Sequence, residues 1–271
     1  MSMRARLGSG EESTNVWRDI GDFLFGTLRL NVVLVVLMAP LIALCLGVVA
    51  PWRSFPTLIA VLWLTSPGLA VAFAAFRDSP AFGRSLLRRQ APAGSAMDSA
   101  ADSYWRLDED YAMVRPCVRA LRGLWWRTLL AAAPFAGAAL VLCVDIVWLA
   151  GTGAGAYVAP ALATTVLLVL LAWPVAIVVV TERPGVRTAA VLRLALTLVV
   201  RRWYFSLLNL LVMLGIFFGL VAQPFLMAAV GNGFLLHLLW ANARWMVLPS
   251  ITPEAADAVR SPAVGRLCYG R

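Results

Sequence analysis

The sequence predicts an all-α, polytopic transmembrane helical bundle, and three observations carry the prediction. Hydrophobic residues make up 61% of the 271-residue chain and charged residues only 14%, against roughly 45–50% and about 25% in soluble domains. The apolar residues gather in charge-poor runs of about twenty, long enough to cross a hydrocarbon core of ~30 Å. Finally, of the 23 basic residues, all arginine, 22 fall in alternate segments between those runs.

Taken in order, residues 1–15 are polar and contain Gly and Ser, which predicts a flexible N-terminal segment. Over 16–29, Val16, Ile20, Phe23 and Leu24 share one helical face while Arg18, Asp19 and Asp22 lie elsewhere on the wheel, the pattern of a short interfacial helix. Spans follow at 30–50, 54–76, 128–150, 157–181, 203–222 and 225–243. Gly231-Asn232-Gly233 leaves a later final turn, and a five-span reading, open. The first apolar run starts after a mixed-charge segment and is too long for a signal peptide. The transmembrane domain covers 16–248, and 249–271 is a tail.

Orientation comes from the arginines. With both termini inside, the cytoplasmic segments hold four, nine (loop 77–127), five (loop 182–202) and four, and only Arg53 is outside. The positive-inside rule favours this arrangement over its inverse. The absence of lysine, with an Ala- and Val-rich composition, reads as codon bias of a high-GC bacterium, so the membrane is the bacterial cytoplasmic (inner) one. The +9 formal charge is dispersed between apolar segments, which points to an anionic inner leaflet as partner and away from nucleic acid.

Both inner loops carry amphipathic patterns. In the first, the acidic Asp108, Glu109 and Asp110 precede an apolar stripe (Val114, Val118, Leu121, Trp125) beside a basic one (Arg115, Arg119, Arg122). Acids before a helix and arginines along its polar face predict an amphipathic helix on the inner leaflet. In the second, 186–202 does the same with Arg187, Arg193, Arg201 and Arg202. These arginines and Trp125 are the expected contacts to inner-leaflet lipid or a partner.

Few residues could carry chemistry. Asp145 is the sole acid inside an apolar run, a functional candidate by default. It lies 17 residues past Thr128, roughly 25 Å along a helix, near the outer headgroups. There it is either an interfacial anchor paired with Arg53 or a substrate or ion site. His237, the only histidine, falls in the middle of the sixth span. It could relay a proton, or simply hydrogen-bond a neighbouring helix. Pro40, Pro67, Pro134 and Pro174 are candidate kinks, with Thr65 and Ser66 placed to re-satisfy the carbonyls freed near Pro67. Cys45, Cys117, Cys143 and Cys268 are widely spaced and make no disulfide or metal framework. The sequence contains no P-loop, GxGxxG, GxSxG or HExxH. No catalytic residue, metal or cofactor is expected.

The kinked span WLTSPGLAVAFAAFRD, the basic-aromatic run VRALRGLWWRTLL, the span ending VDIVWL and the loop LALTLVVRRWYFSLL together resemble the YesL-like bacterial membrane proteins, a family of unknown function. The resemblance covers about residues 16–248, with 78–103 and the tail after Pro249 additional. It implies an integral membrane protein without catalytic residues, an accessory to carbohydrate uptake beside an ABC importer, and an acidic position matching Asp145. A small secondary transporter or channel is the alternative.

Overall fold

Lipid offers a backbone no hydrogen-bond partner, so each spanning segment must bond internally as a helix or close into a barrel. In the computed structural model, which describes residues 4–40, 43, 54–79, 82, 113–150, 152–153, 155–223, 226–227 and 231–251, helices answer that demand. In chain order they are α1 (Arg4–Leu37), α2 (Phe55–Asp78), α3 (Val114–Leu149), α4 (Gly155–Glu182), α5 (Thr188–Arg201), α6 (Trp203–Ala222) and α7 (Asn232–Ile251). No strand occurs among the described residues.

Four of these, α2, α3, α4 and α6, are long and apolar enough to cross a membrane. They coincide with the predicted second to fifth spans. The apolar part of α1, Phe23–Leu37, is shorter. Residues 41–42 and 44–50 of the predicted first span lie outside the described residues, as do Arg53, most of the 78–103 segment, Asp108, Glu109, Asp110, Cys45, Cys268 and the tail after Ile251.

Three boundaries differ from the sequence prediction. Helix α1 begins at Arg4 and runs through Leu30 without a break, so the expected flexible segment and separate interfacial helix are one helix there. No proline interrupts that stretch, and α1 stops at Leu37 with a turn at Met38, just before Pro40. Second, the amphipathic stretch at 114–127 is not a separate surface helix. It is the first third of α3, whose 36 residues extend about 54 Å at 1.5 Å per residue. A core of ~30 Å cannot contain that length, so α3 projects well beyond it. Third, the α-helical part of α7 runs from Asn232 past the expected end at Ala243 to Ile251, while of the expected stretch before it Leu226 is α-helical and Met227 and Gly231 are in π-helical form.

The second loop behaves as expected. Helix α5 is separate, burying Val191, Ala195, Leu198 and Val199 at helical spacing. It ends at Arg202, whose φ −115° and ψ 50° break the chain before α6 begins.

Helix α4 is the hub. It packs against α2, α3, α5, α6 and α7, and every residue from Leu171 to Thr181 is buried. A helix apolar on all sides has neighbours on all sides. Small side chains let those neighbours approach: Ala70, Ala72, Ala74 and Ala75 on α2, Ala131, Ala132 and Ala139 on α3. Two indoles tie the layers. Trp63 Nε1 donates to Leu129 O at 3.0 Å, and Trp173 Nε1 donates to Ser66 Oγ at 3.0 Å.

On the other side α6 and α7 form a pair held by two buried asparagines. Asn242 Nδ2 donates to Asn209 Oδ1 at 2.6 Å and to Phe205 O at 2.8 Å. Such bonds are the usual polar adhesive between membrane helices. Helix α1 crosses α7 at Gly233. A Cβ there would come within 2.5 Å of Asn31 Oδ1 and 2.6 Å of Thr27 Cγ2, so the close approach requires glycine.

The crossing makes a prediction. Gly233→Val should destabilise the protein by about 1–3 kcal/mol, the usual cost of overpacking a tight contact. Thermal unfolding in detergent measures it, and Gly137→Val, where an added Cβ meets nothing within 4 Å, is the control expected to stay near wild type.

Candidate functional site

Helix ends leave their last carbonyls without backbone donors. At one end of this bundle, arginines supply the missing donors. Arg77 Nη1 donates to Thr181 O near the end of α4. Arg183 Nη2 donates to Ile251 O at the end of α7. Arg127 Nη1 donates to Pro184 O in the turn after α4. The fourth case lies inside a helix. Arg202 Nη1 donates to Trp245 O at 2.9 Å, and the residue four positions on is Pro249, which has no N–H to offer that carbonyl. These contacts bring the C-terminal ends of α2, α4 and α7, α3 at Arg127 and the start of α6 together as one basic end.

Within this end sits a buried, charge-balanced group. Arg77 holds Asp78 in a fork, Nε–Oδ1 2.6 Å and Nη2–Oδ2 2.9 Å. Arg244 Nε lies 3.0 Å from Glu182 Oε1, a second ion pair. The four side chains are between 4% and 13% exposed, and their formal charges sum to zero. The Arg244 guanidinium also lies 5.0 Å from the centroid of the Trp240 ring, a cation–π distance. Sequence reasoning did not single out these residues. The signal was a carboxylate directly at two apolar-run ends, Asp78 and Glu182, inside segments otherwise rich in arginine.

His237 lies one level deeper. It is 7% exposed and enclosed by aromatic rings: Phe76 at 4.9 Å, Phe23 at 5.0 Å, Trp240 at 5.4 Å and Phe82 at 6.2 Å between centroids. Contact with Phe76, the neighbour of Arg77, places it toward the basic end. The expected hydrogen bond to a neighbouring helix is absent at Nδ1, which has no partner. Trp240 Nε1 and Ser79 Oγ are likewise buried without partners.

The other expected residues are dispersed. Asp145 is exposed on the outward side of α3 with Val141, Val144 and Trp148, toward the end remote from the arginines. It therefore does not meet His237, and its expected partner Arg53 lies outside the described residues. Pro67, Pro134 and Pro174 are all accommodated within continuous helices. Thr65 Oγ1 and Ser66 Oγ both donate to Leu62 O, at 3.1 and 3.0 Å. That carbonyl precedes the one at Trp63 which Pro67 strips of its N–H.

On α3 the apolar stripe expected at the inner leaflet, Val114, Val118 and Trp125, is exposed, at 65%, 43% and 42%, with Leu121 half-buried. The face packed against the bundle is Pro116, Cys117, Ala120 and Leu124, offset around the helix. Arg115 and Arg122 are exposed and Arg119 is half-buried. On α5 and at its end, Arg193 and Arg201 are exposed and Arg202 half-buried. Cys117, in the projecting part of α3, is buried, and desolvation pushes its thiol up to about 12, which suits packing and not nucleophilic chemistry. Among the described residues no group of three His, Cys, Asp or Glu could hold a metal ion.

Fold and site define a polytopic α-helical membrane protein sealed at one end by arginines. No family model, curated protein or solved structure matches the chain.

Two mutant cycles test the basic end. Arg244→Met should cost about 3–5 kcal/mol by stranding Glu182 as a buried unpaired charge, and adding Glu182→Met should recover most of it. Arg202→Met should cost about 1.5–3 kcal/mol, the range for a charged hydrogen bond. In a Pro249→Ala background, where the new backbone N–H can reach the Trp245 carbonyl, that loss should shrink. Unfolding midpoints of purified variants in one detergent measure both couplings.

Proposed function

We propose that this protein is a non-catalytic accessory factor of the bacterial cytoplasmic membrane, with six spans and both termini inside, assisting carbohydrate uptake beside an ABC importer or the assembly of a similar membrane complex. The observation that carries the reading is the projecting third of α3. It sets exposed Trp125 and Trp126 and exposed Val114 and Val118 beside Arg115, Arg119 and Arg122, on a helix too long to be buried in lipid. Basic and aromatic surface of this kind suits docking of a partner subunit near an anionic leaflet. The resemblance to the YesL-like family supports the link to importers.

The alternative is a small secondary transporter or channel, favoured by a cavity in the half of the bundle remote from the arginines. Its lining is almost wholly apolar, which ranks this reading second for sugars or ions. Flux of a labelled sugar into proteoliposomes containing the chain alone would decide for it.

The test is purification of the tagged protein from native membranes in a mild detergent, followed by mass spectrometry. Importer membrane subunits should be recovered in stoichiometric amount. They should be lost when Arg115, Arg119 and Arg122 are all changed to Glu, with the variant still monodisperse. A lone, monodisperse wild-type protein would overturn the proposal.

A further inference from the structure

The half of the bundle remote from the basic end contains a cavity of ≈ 390 Å³, within the range of about 300–1,000 Å³ for small-molecule sites. It lies between α2 and α6, with α4 and α7 behind it and Cys143 of α3 on one wall. Its lining runs from Phe55 to Leu69 on α2 and from Val166 to Pro174 on α4, about 21 and 12 Å along the helix axes. The hydrocarbon of one leaflet is about 15 Å deep. The cavity is thus a slot parallel to the helices with the depth of a single leaflet. Phe217, on its α6 wall, is 43% exposed, so the slot communicates with the lipid-facing surface.

Its polar groups are few and unequally placed. At mid-depth, Ser66 Oγ accepts from Trp173 Nε1 and donates to Leu62 O, and Thr65 Oγ1 donates to the same carbonyl. These groups are satisfied within the protein, so a polar solute entering there would exchange water bonds for none. At the opposite end the lining includes the polar Asn232, the first residue of α7. The remainder is Leu, Ile, Phe, Val and Met, with Ala139 and Pro174. An occupant that matches is one long apolar chain with a hydrogen-bonding group at its outer end.

We propose that the slot seats a single acyl chain of a phospholipid from the leaflet at that end, its ester near Asn232 and its terminal methyl against Ser66 and Trp173. The bound lipid fills space between α2 and α6, which face each other across it. This holds whether the protein acts as an accessory factor or as a transporter.

The experiment places the full chain in vesicles of phosphatidylethanolamine and phosphatidylglycerol containing a phospholipid with a diazirine near the end of one acyl chain. Crosslinks are mapped by mass spectrometry. Labelling is expected at Leu62, Ser66, Leu69 and Trp173 inside the bundle, and also at Leu140 and Val141 on the exposed face of α3, near mid-depth, as an internal control. Leu236→Trp, which fills the slot from α7, should lose the interior labels and keep the outer ones. Cys143→Phe, which fills it from α3, should do the same if the first variant does not fold. Outer labels alone in the wild type, or interior labels that survive in a folded filled variant, would overturn the proposal. So would interior labelling by a diazirine fatty acid but not by the phospholipid.

Discussion

A carbonyl at the end of a membrane helix needs a donor, and at the basic end of this bundle the donor is an arginine from another helix. The planar guanidinium stays charged and carries five N–H groups, so one side chain can bond a carbonyl and a carboxylate together. Arg77 does this with Thr181 and Asp78. Because each arginine and each carbonyl belong to different elements, every such bond also sets how two helices meet. Arg202 shows the dependence best, since Pro249 creates the bare carbonyl at Trp245 that Arg202 then occupies. The arginines gathered at this end thereby lock the helices together there.

The two halves of the bundle follow opposite rules. Toward the basic end, polarity is concentrated: Arg77 and Arg244 beside Asp78 and Glu182, further arginines on carbonyls, and a histidine packed in aromatic rings. Toward the other end, the core is apolar and incompletely filled. Such a split makes physical sense at a membrane boundary. Near the headgroups water and counter-ions soften the cost of burying ionised groups, while deep in the hydrocarbon an apolar void can be filled by lipid at no polar cost. The Asn209–Asn242 pair lies in the basic half, where Asn242 Nδ2 donates to both Asn209 Oδ1 and Phe205 O.

Much of the architecture was legible because it rests on one-dimensional signals. Runs such as 157–181 and 203–222 are helical spans by length and hydropathy alone, and α4 and α6 match them closely. Helix α5 was visible in the basic amphipathic pattern of 186–202. What periodicity could not show was continuity. The pattern at 114–127 is amphipathic whether it lies on a membrane or extends a span, and only the uninterrupted backbone through Thr128 makes it part of α3. Similarly, two apolar stripes run along that stretch, and the pattern does not say which one finds a neighbour. Leu124 and Cys117 do, while Val114 and Trp125 do not.

The candidate site was less legible. Asp145 and His237 stood out by rarity, yet rarity carries no distance, and the fold sets them in different places. Asp78, Glu182 and Arg244 were unremarked because charges at span ends are ordinary. Their meaning comes from three chain-distant ends converging on one point. The sequence by itself determined that the chain is a helical membrane protein, where most of its spans lie and which segments carry its charge, because lipid acts on each segment's length and composition. The tertiary structure alone decided which arginine bonds which carbonyl, which carboxylates are buried in pairs and where the core is left unfilled. Those depend on the packing of α2, α4, α6 and α7 against one another, and packing is a property of several segments at once.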